Sequence, residues 1–177
     1  MNSRRKGRFW TTVLVFALTG GVASCENAGP PKAGDRAPDF VLQSVTGQTR
    51  KLSNFRGKVV LVNLWATWCP PCIAEMPILD QLSQDYGSRG LVVLGVAGDE
   101  NTDDVRDFLS KSPVKFEVLL DPDGAIGTQY GITGYPETFF VDRDGNLRDK
   151  YIGSVPHEGR APSAEFIKKI EELLGGG

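Results

Sequence analysis

The 177 residues, 40% hydrophobic and 24% charged, have the balance of one soluble globular domain built on a single core. Three cysteines are too few for a disulfide framework, so packing must supply the stability. The first 24 residues hold four of the 20 basic side chains and none of the 22 acidic ones, which leaves the remainder a formal charge of −6 and speaks against nucleic acid as a partner.

Residues 1–24 read as an export signal. Arg4, Arg5, Lys6 and Arg8 form a positive head, Phe9 to Leu18 an apolar stretch, and Gly20 to Ser24 a region of small residues. The apolar stretch is about half of the roughly 20 residues a membrane-spanning helix needs, so cleavage is the expectation and an uncleaved anchor the alternative. Val22-Ala23-Ser24-Cys25 resembles a bacterial lipobox, which makes Cys25 the expected lipidation site and a lipid tail the expected link to a bacterial membrane. Residues 25–36, with Gly29, Pro30, Pro31 and Gly34, suit a flexible spacer, and 37–177 is the expected folded domain.

Phe40–Val45 and Gln48–Leu52 form a predicted hairpin across Thr46-Gly47. Lys58–Ala66 is a continuous apolar run of the kind buried in a central strand. From Pro70 to Tyr86 the residues Ile73, Met76, Ile78, Leu79 and Leu82 recur at helical spacing, although Pro77 removes the bond to the Ile73 carbonyl. A strand at Leu91–Ala97, a helix at Asp103–Ser110, a strand at Phe116–Leu120 and a short helix at Ala125–Tyr130 follow. Strands at Thr138–Val141 and Leu147–Ile152 and a helix at Ser163–Leu174 close the chain. This alternation predicts an α/β fold, a three-layer α/β/α sandwich on a mixed central sheet with an N-terminal β-hairpin extension. The Asp121-Pro-Asp123-Gly124 and Asp142-Arg-Asp144-Gly145 segments read as turns, since neither has the glycine or the closing Glu of a calcium loop.

The chemistry concentrates at Trp65-Ala66-Thr67-Trp68-Cys69-Pro70-Pro71-Cys72, where two cysteines three residues apart follow a strand and open a helix. A helix terminus favours the thiolate, the species that attacks disulfides. Pro70 and Pro71 lack N–H groups, so the donors left for the Cys69 sulfur begin at Cys72, and thiolate stabilisation is expected to be modest. A zinc knuckle would need two more Cys or His ligands, but Cys25 lies in the export region and His157 is the only histidine, so no metal or cofactor is expected. His157, beside Pro156 and Gly159, reads as a solvated loop residue, and Lys168, Lys169, Glu171 and Glu172 as a solvated helix face.

These motifs resemble the thioredoxin superfamily and, within it, the membrane-tethered TlpA/ResA/CcmG (DsbE)-type thiol-disulfide oxidoreductases. The resemblance runs through Ala37-Pro38-Asp39-Phe40, the Gly57–Cys72 segment, Glu75-Met76-Pro77 and Gly131–Phe139. It implies a redox-active Cys69–Cys72 disulfide, with Cys69 the exposed nucleophile and Cys72 the buried resolving thiol. Pro136 matches the superfamily's cis-proline, so the backbone at Tyr135 would pair with an extended substrate segment, with Trp68, Pro70 and Pro71 also bordering the substrate. Asn63 stands where thioredoxin has a buried aspartate and cannot take a proton. Glu75 and Glu137 are therefore the candidate acceptors of the Cys72 proton. Trp65 is the expected core aromatic.

The resemblance implies a monomeric enzyme on the extracytoplasmic face of a bacterial membrane. It would reduce disulfides of exported proteins, with apocytochrome c as one candidate, and would draw electrons from a membrane thiol donor. Two alternatives come from other classes. Ala33–Phe40 resembles the opening of peroxiredoxins, although the peroxidatic motif is broken. A copper carrier or redox adaptor would use the same thiols, but such carriers favour CxxxC with a distal His.

Overall fold

The computed structural model describes residues 29–158 and 161–175; the expected export signal and Cys25 lie outside the described residues. Strands β1 (Val41–Ser44) and β2 (Thr49–Lys51) form the N-terminal hairpin, followed by a 3-10 turn at Leu52–Phe55. Next come β3 (Val59–Trp65), α1 (Pro70–Gly87), β4 (Leu91–Ala97), α2 (Thr102–Lys111), β5 (Glu117–Leu120) and α3 (Ala125–Tyr130). The chain ends with β6 (Glu137–Val141), β7 (Leu147–Ile152), a two-residue hairpin of β8 (His157–Glu158) and β9 (Ala161–Pro162), and α4 (Ala164–Gly175).

The main sheet has seven strands in the order β2-β1-β5-β4-β3-β6-β7, with β3, β4 and β5 parallel and the remaining pairs antiparallel. This is the expected mixed sheet. The centre is β3, buried along its whole length, and its alternation divides the core. Val59, Leu61 and Trp65 join α1, α2 and α4 on one face, while Val60, Val62 and Leu64 join α3 and the N-terminal segment on the other. Three layers result.

Some local features differ from expectation. The attached body begins before Ala37, because the Gly34 N–H donates to the Leu147 carbonyl and Arg36 bridges to Asn146. His157 belongs to the β8–β9 hairpin rather than a free loop, with Nδ1 against the Val155 carbonyl at 2.8 Å. Lys169 is paired to Asp149 and Glu171 to Arg89, so the polar face of α4 is partly tied down. Helix α1 runs on through Pro77 without ending there. No helix among the described residues is long and apolar enough to cross a membrane.

Candidate active site

Because β3 and β4 are parallel with Trp65 opposite Ala97, and β5 ends beside them at Leu120, the residues following each strand meet at one edge of the sheet. Thr67, Asp99 and Asp121 all sit there. Asp99 is almost fully buried and accepts from the Thr67 N–H through both oxygens at 3.1 Å and from the Thr67 hydroxyl, which fixes the turn leading into the dithiol.

Cys69 is the N-cap of α1 and Pro70 and Pro71 are its first two residues. Proline suits that place, since its fixed φ is helical and the N–H it lacks has no helical partner. The consequence is chemical: the first available donor of the helix is Cys72 N–H, and it points at Cys69 Sγ at 3.3 Å. Cys69 and Cys72 form a disulfide; Cys69, expected as the exposed nucleophile, is itself only 5% exposed in this oxidised state, and Cys72 is fully buried. Beside them Trp68 is 65% exposed while Trp65 lies in the core. Trp68 meets Tyr135 edge-on with centroids 5.6 Å apart, and the Tyr135–Pro136 peptide is cis. Tyr135 reaches over Gly98, where a Cβ would lie 1.9 Å from its hydroxyl oxygen, so glycine leaves the ring in place and any larger residue would displace it. Burial, with Asp121 and Asp99 nearby, pushes the Tyr135 phenol above its ordinary range and keeps it protonated. Trp68, Gly98, Asp99, Glu100, Asn101 and Asp104 line a shallow cleft of about 430 Å³ next to the cysteines.

Under the dithiol, Glu75 has no exposed surface. Its Oε1 accepts from Asn63 Nδ2 at 2.8 Å and its Oε2 from the Val155 N–H at 2.6 Å. Val155 arrives on the strap after β7, which also places Ser154 Oγ 3.4 Å from the Pro71 carbonyl oxygen. Burial raises the Glu75 carboxyl above its usual range; the bonds from Val155, Asn63 and Ser154 and the field of His157 offset part of that shift. Asn63 also donates to Thr138 Oγ1 at 3.0 Å, while its own Oδ1 is buried without a partner among the described residues.

The structure separates the two candidate carboxylates. Adjacent residues of a strand point to opposite faces. Since Thr138 reaches Asn63 on the α1 side, Glu137 lies on the α3 side, away from Glu75. Its oxygens are engaged there by the Thr133 N–H and hydroxyl, both at 2.8 Å, and by Lys150 Nζ at 3.3 Å. Glu137, the second expected acceptor of the Cys72 proton, thus lies on the opposite face of the sheet from Glu75, because the pleat turns it there. Thr67, Asp99, Val155, Thr133 and Lys150 were not singled out from sequence. A signal existed for Asp99 alone, at the carboxyl end of a strand parallel to β3.

A model of the Redoxin family matches residues 32–167. The chain belongs to that family. Within it, this Redoxin member is similar to the thiol-disulfide oxidoreductase ResA of Bacillus thuringiensis subsp. konkukian (strain 97-27), 34% identical over 137 residues, 77% of this chain and 78% of the relative. Among solved structures it resembles a DsbE-like thiol:disulfide interchange protein from Chlorobium tepidum, with TM-score 0.76 and 35% identity over 82% of this chain and 99% of the other. It also resembles the exposed lipoprotein thioredoxin Etrx1 of Streptococcus pneumoniae strain TIGR4, with TM-score 0.65 and 30% identity over 77% of this chain and 100% of the other. The family member described here is a TlpA/ResA/CcmG-type thioredoxin-like protein and a thiol-disulfide oxidoreductase.

Proposed function

We propose that this oxidoreductase works outside the cytoplasm, tethered by lipid at Cys25, and reduces disulfides of exported proteins, apocytochrome c among the candidates. The observation that carries the reading is the Cys69–Cys72 pair at the helix start, its outer sulfur bordered by exposed Trp68 and by Tyr135, its inner one fully buried above Glu75. The export signal and Val22–Cys25 support the tether, as does the likeness to a pneumococcal lipoprotein thioredoxin.

In the proposed reaction the Cys69 thiolate attacks a substrate disulfide, forming a mixed disulfide and expelling the second substrate sulfur as a thiolate. Glu75, as carboxylate, takes the proton of Cys72. The Cys72 sulfur then attacks Cys69, closes the enzyme disulfide and releases the first substrate sulfur, which ends as a thiol. Two electrons pass to the substrate, and a membrane dithiol returns them to Cys69–Cys72. Trp68, Pro70, Pro71, Tyr135 and Pro136 border the incoming segment.

The test equilibrates the dithiol with a glutathione redox buffer and traps substrate on a Cys72→Ser variant. A potential near the reducing end of the superfamily range of roughly −270 to −120 mV, with exported proteins trapped on Cys69, is the expected result. A potential at the oxidising end overturns the direction. Peroxide consumption, or copper held through Cys69, would replace the reading altogether.

A further inference from the structure

The role of Glu137 is left open by the chemistry above, and its surroundings decide it. The carboxylate is fully buried on the α3 face of the sheet, yet both of its oxygens are satisfied. Oε1 receives two bonds from one residue, the Thr133 backbone N–H and its hydroxyl, each at 2.8 Å. Oε2 receives Lys150 Nζ at 3.3 Å; Lys150 comes from β7 with its ammonium 5.8 Å from the centre of the Phe139 ring. A buried carboxylate is costly unless paired in this way, and a doubly bonded one is a rigid attachment point.

Thr133 and Glu137 bracket Gly134, Tyr135 and Pro136. Residues 133–136 belong to no helix or strand and, among the described residues, carry no long-range backbone hydrogen bond apart from the one their Pro136 carbonyl accepts from Gly153. The side chain of Glu137 therefore closes the loop onto β6, and Lys150 fastens that closure to β7. What the closed loop presents is Tyr135, held between Gly98 and Trp68 at the mouth of the dithiol.

We infer that Glu137, with Thr133 and Lys150, is a positioning clasp that holds the 133–136 loop at the substrate-facing edge of the site and takes no part in proton transfer. This rests on the reading of Cys69–Cys72 as the reacting pair, since the loop matters for the reaction only if a substrate segment lies along it. The clasp acts on how a peptide is held, not on the sulfur chemistry. Its loss should weaken substrate binding and leave the ionisations that govern the rate in place.

The experiment uses the full chain in detergent with a disulfide-linked peptide as substrate, measuring KM, kcat and their pH profiles for wild type, Glu137→Gln, Thr133→Val and Thr133→Ser. Hydrogen exchange of the 131–137 segment is followed in the same samples. Glu137→Gln and Thr133→Val should raise KM by about ten- to a hundredfold, the worth of one charge-assisted bond, with kcat within about twofold. The pH profile should not move, loop amides should exchange faster, and Thr133→Ser, which keeps the hydroxyl donor, should restore wild-type behaviour. A displaced or missing ionisation in the Glu137→Gln profile would overturn the inference in favour of acid–base work. So would loop exchange equal to wild type, or a Thr133→Ser variant as poor as Thr133→Val. If wild type itself fails to turn over the peptide, the reductase reading falls, and loop exchange in the variants still decides the clasp.

Discussion

Replacing Glu75 by Gln and by Ala should separate proton handling from packing. The native carboxyl accepts two buried donors, Asn63 Nδ2 at 2.8 Å and the Val155 N–H at 2.6 Å. Gln offers one acceptor oxygen. If it serves Val155, its NH2 faces the Asn63 NH2, and a turn of the Asn63 amide removes the conflict by bringing round Oδ1, which has no partner among the described residues in the native arrangement. Thr138 can then donate its hydroxyl where it previously accepted, so the count of bonds is kept, but the Asn63 NH2 now occupies the buried place without a partner, at a cost of about 1–3 kcal/mol. Ala strands both donors at about 1–3 kcal/mol each, roughly 2–6 kcal/mol together.

Kinetically the two variants should be alike, because each lacks the acceptor. Resolution of the mixed disulfide by Cys72 should slow by about 10²-fold or more, the usual worth of a placed acid–base group. Stability adds a sign. Burial raises the Glu75 pKa above its ordinary value of 4.5, so ionised Glu75 is a cost to the fold that grows as pH rises from near that value through the raised one. Glu75→Gln should therefore gain on wild type as pH rises across that window. Stopped-flow release of a thiol from Cys69, together with urea unfolding at mildly acidic and neutral pH, measures all three. The reasoning is refuted if Glu75→Gln keeps its rate within about twofold and the same acid limb as wild type.

Three further outcomes are expected. With two prolines removing donors at the helix start, a thiol titration of reduced protein should place Cys69 above about 5, within the ~3.5–7.5 range of activated cysteines; a lower value would mean that other donors reach the sulfur. Gly98→Ala should push Tyr135 off its seat, since the new Cβ would sit 1.9 Å from the hydroxyl, and so alter Trp68 fluorescence and raise KM for a peptide disulfide; an unchanged emission spectrum would show that the ring is free to move aside. Asp121→Ala removes the carboxylate that receives the Ile126 N–H at 2.9 Å and the Gly127 N–H at 3.4 Å, and should cost about 1–3 kcal/mol in urea unfolding; no loss would mean that α3 starts without its cap.

The parts of the site that lie close in sequence were legible, and those brought in by the sheet were not. The apolar run of β3, the dithiol at its carboxyl end and the helical spacing after it are local patterns, and so were readable before any pairing was known. The Val155 amide that holds Glu75 comes from 80 positions away, on a strap whose path no periodicity records. The pairing of β1 with β5 and the small β8–β9 hairpin are equally non-local or too short to show a period.

Glu137 is the instructive case, because adjacency to Pro136 placed it near the site in sequence while the pleat placed it on the other face. Alternation alone says only that Glu137 and Thr138 are on different faces; it takes the register of β6 against β3, with Thr138 opposite Asn63, to say which face belongs to the dithiol. Once Asn63 is known to reach Glu75, that register leaves one carboxylate under the cysteines and turns the other toward Thr133 and Lys150. The same one-residue parity thus leaves Glu75 as the carboxylate proposed to take the proton and Glu137 as the one proposed to hold the loop. A slip of β6 by a single residue would bring Glu137 to the dithiol face and send Thr138 to the other.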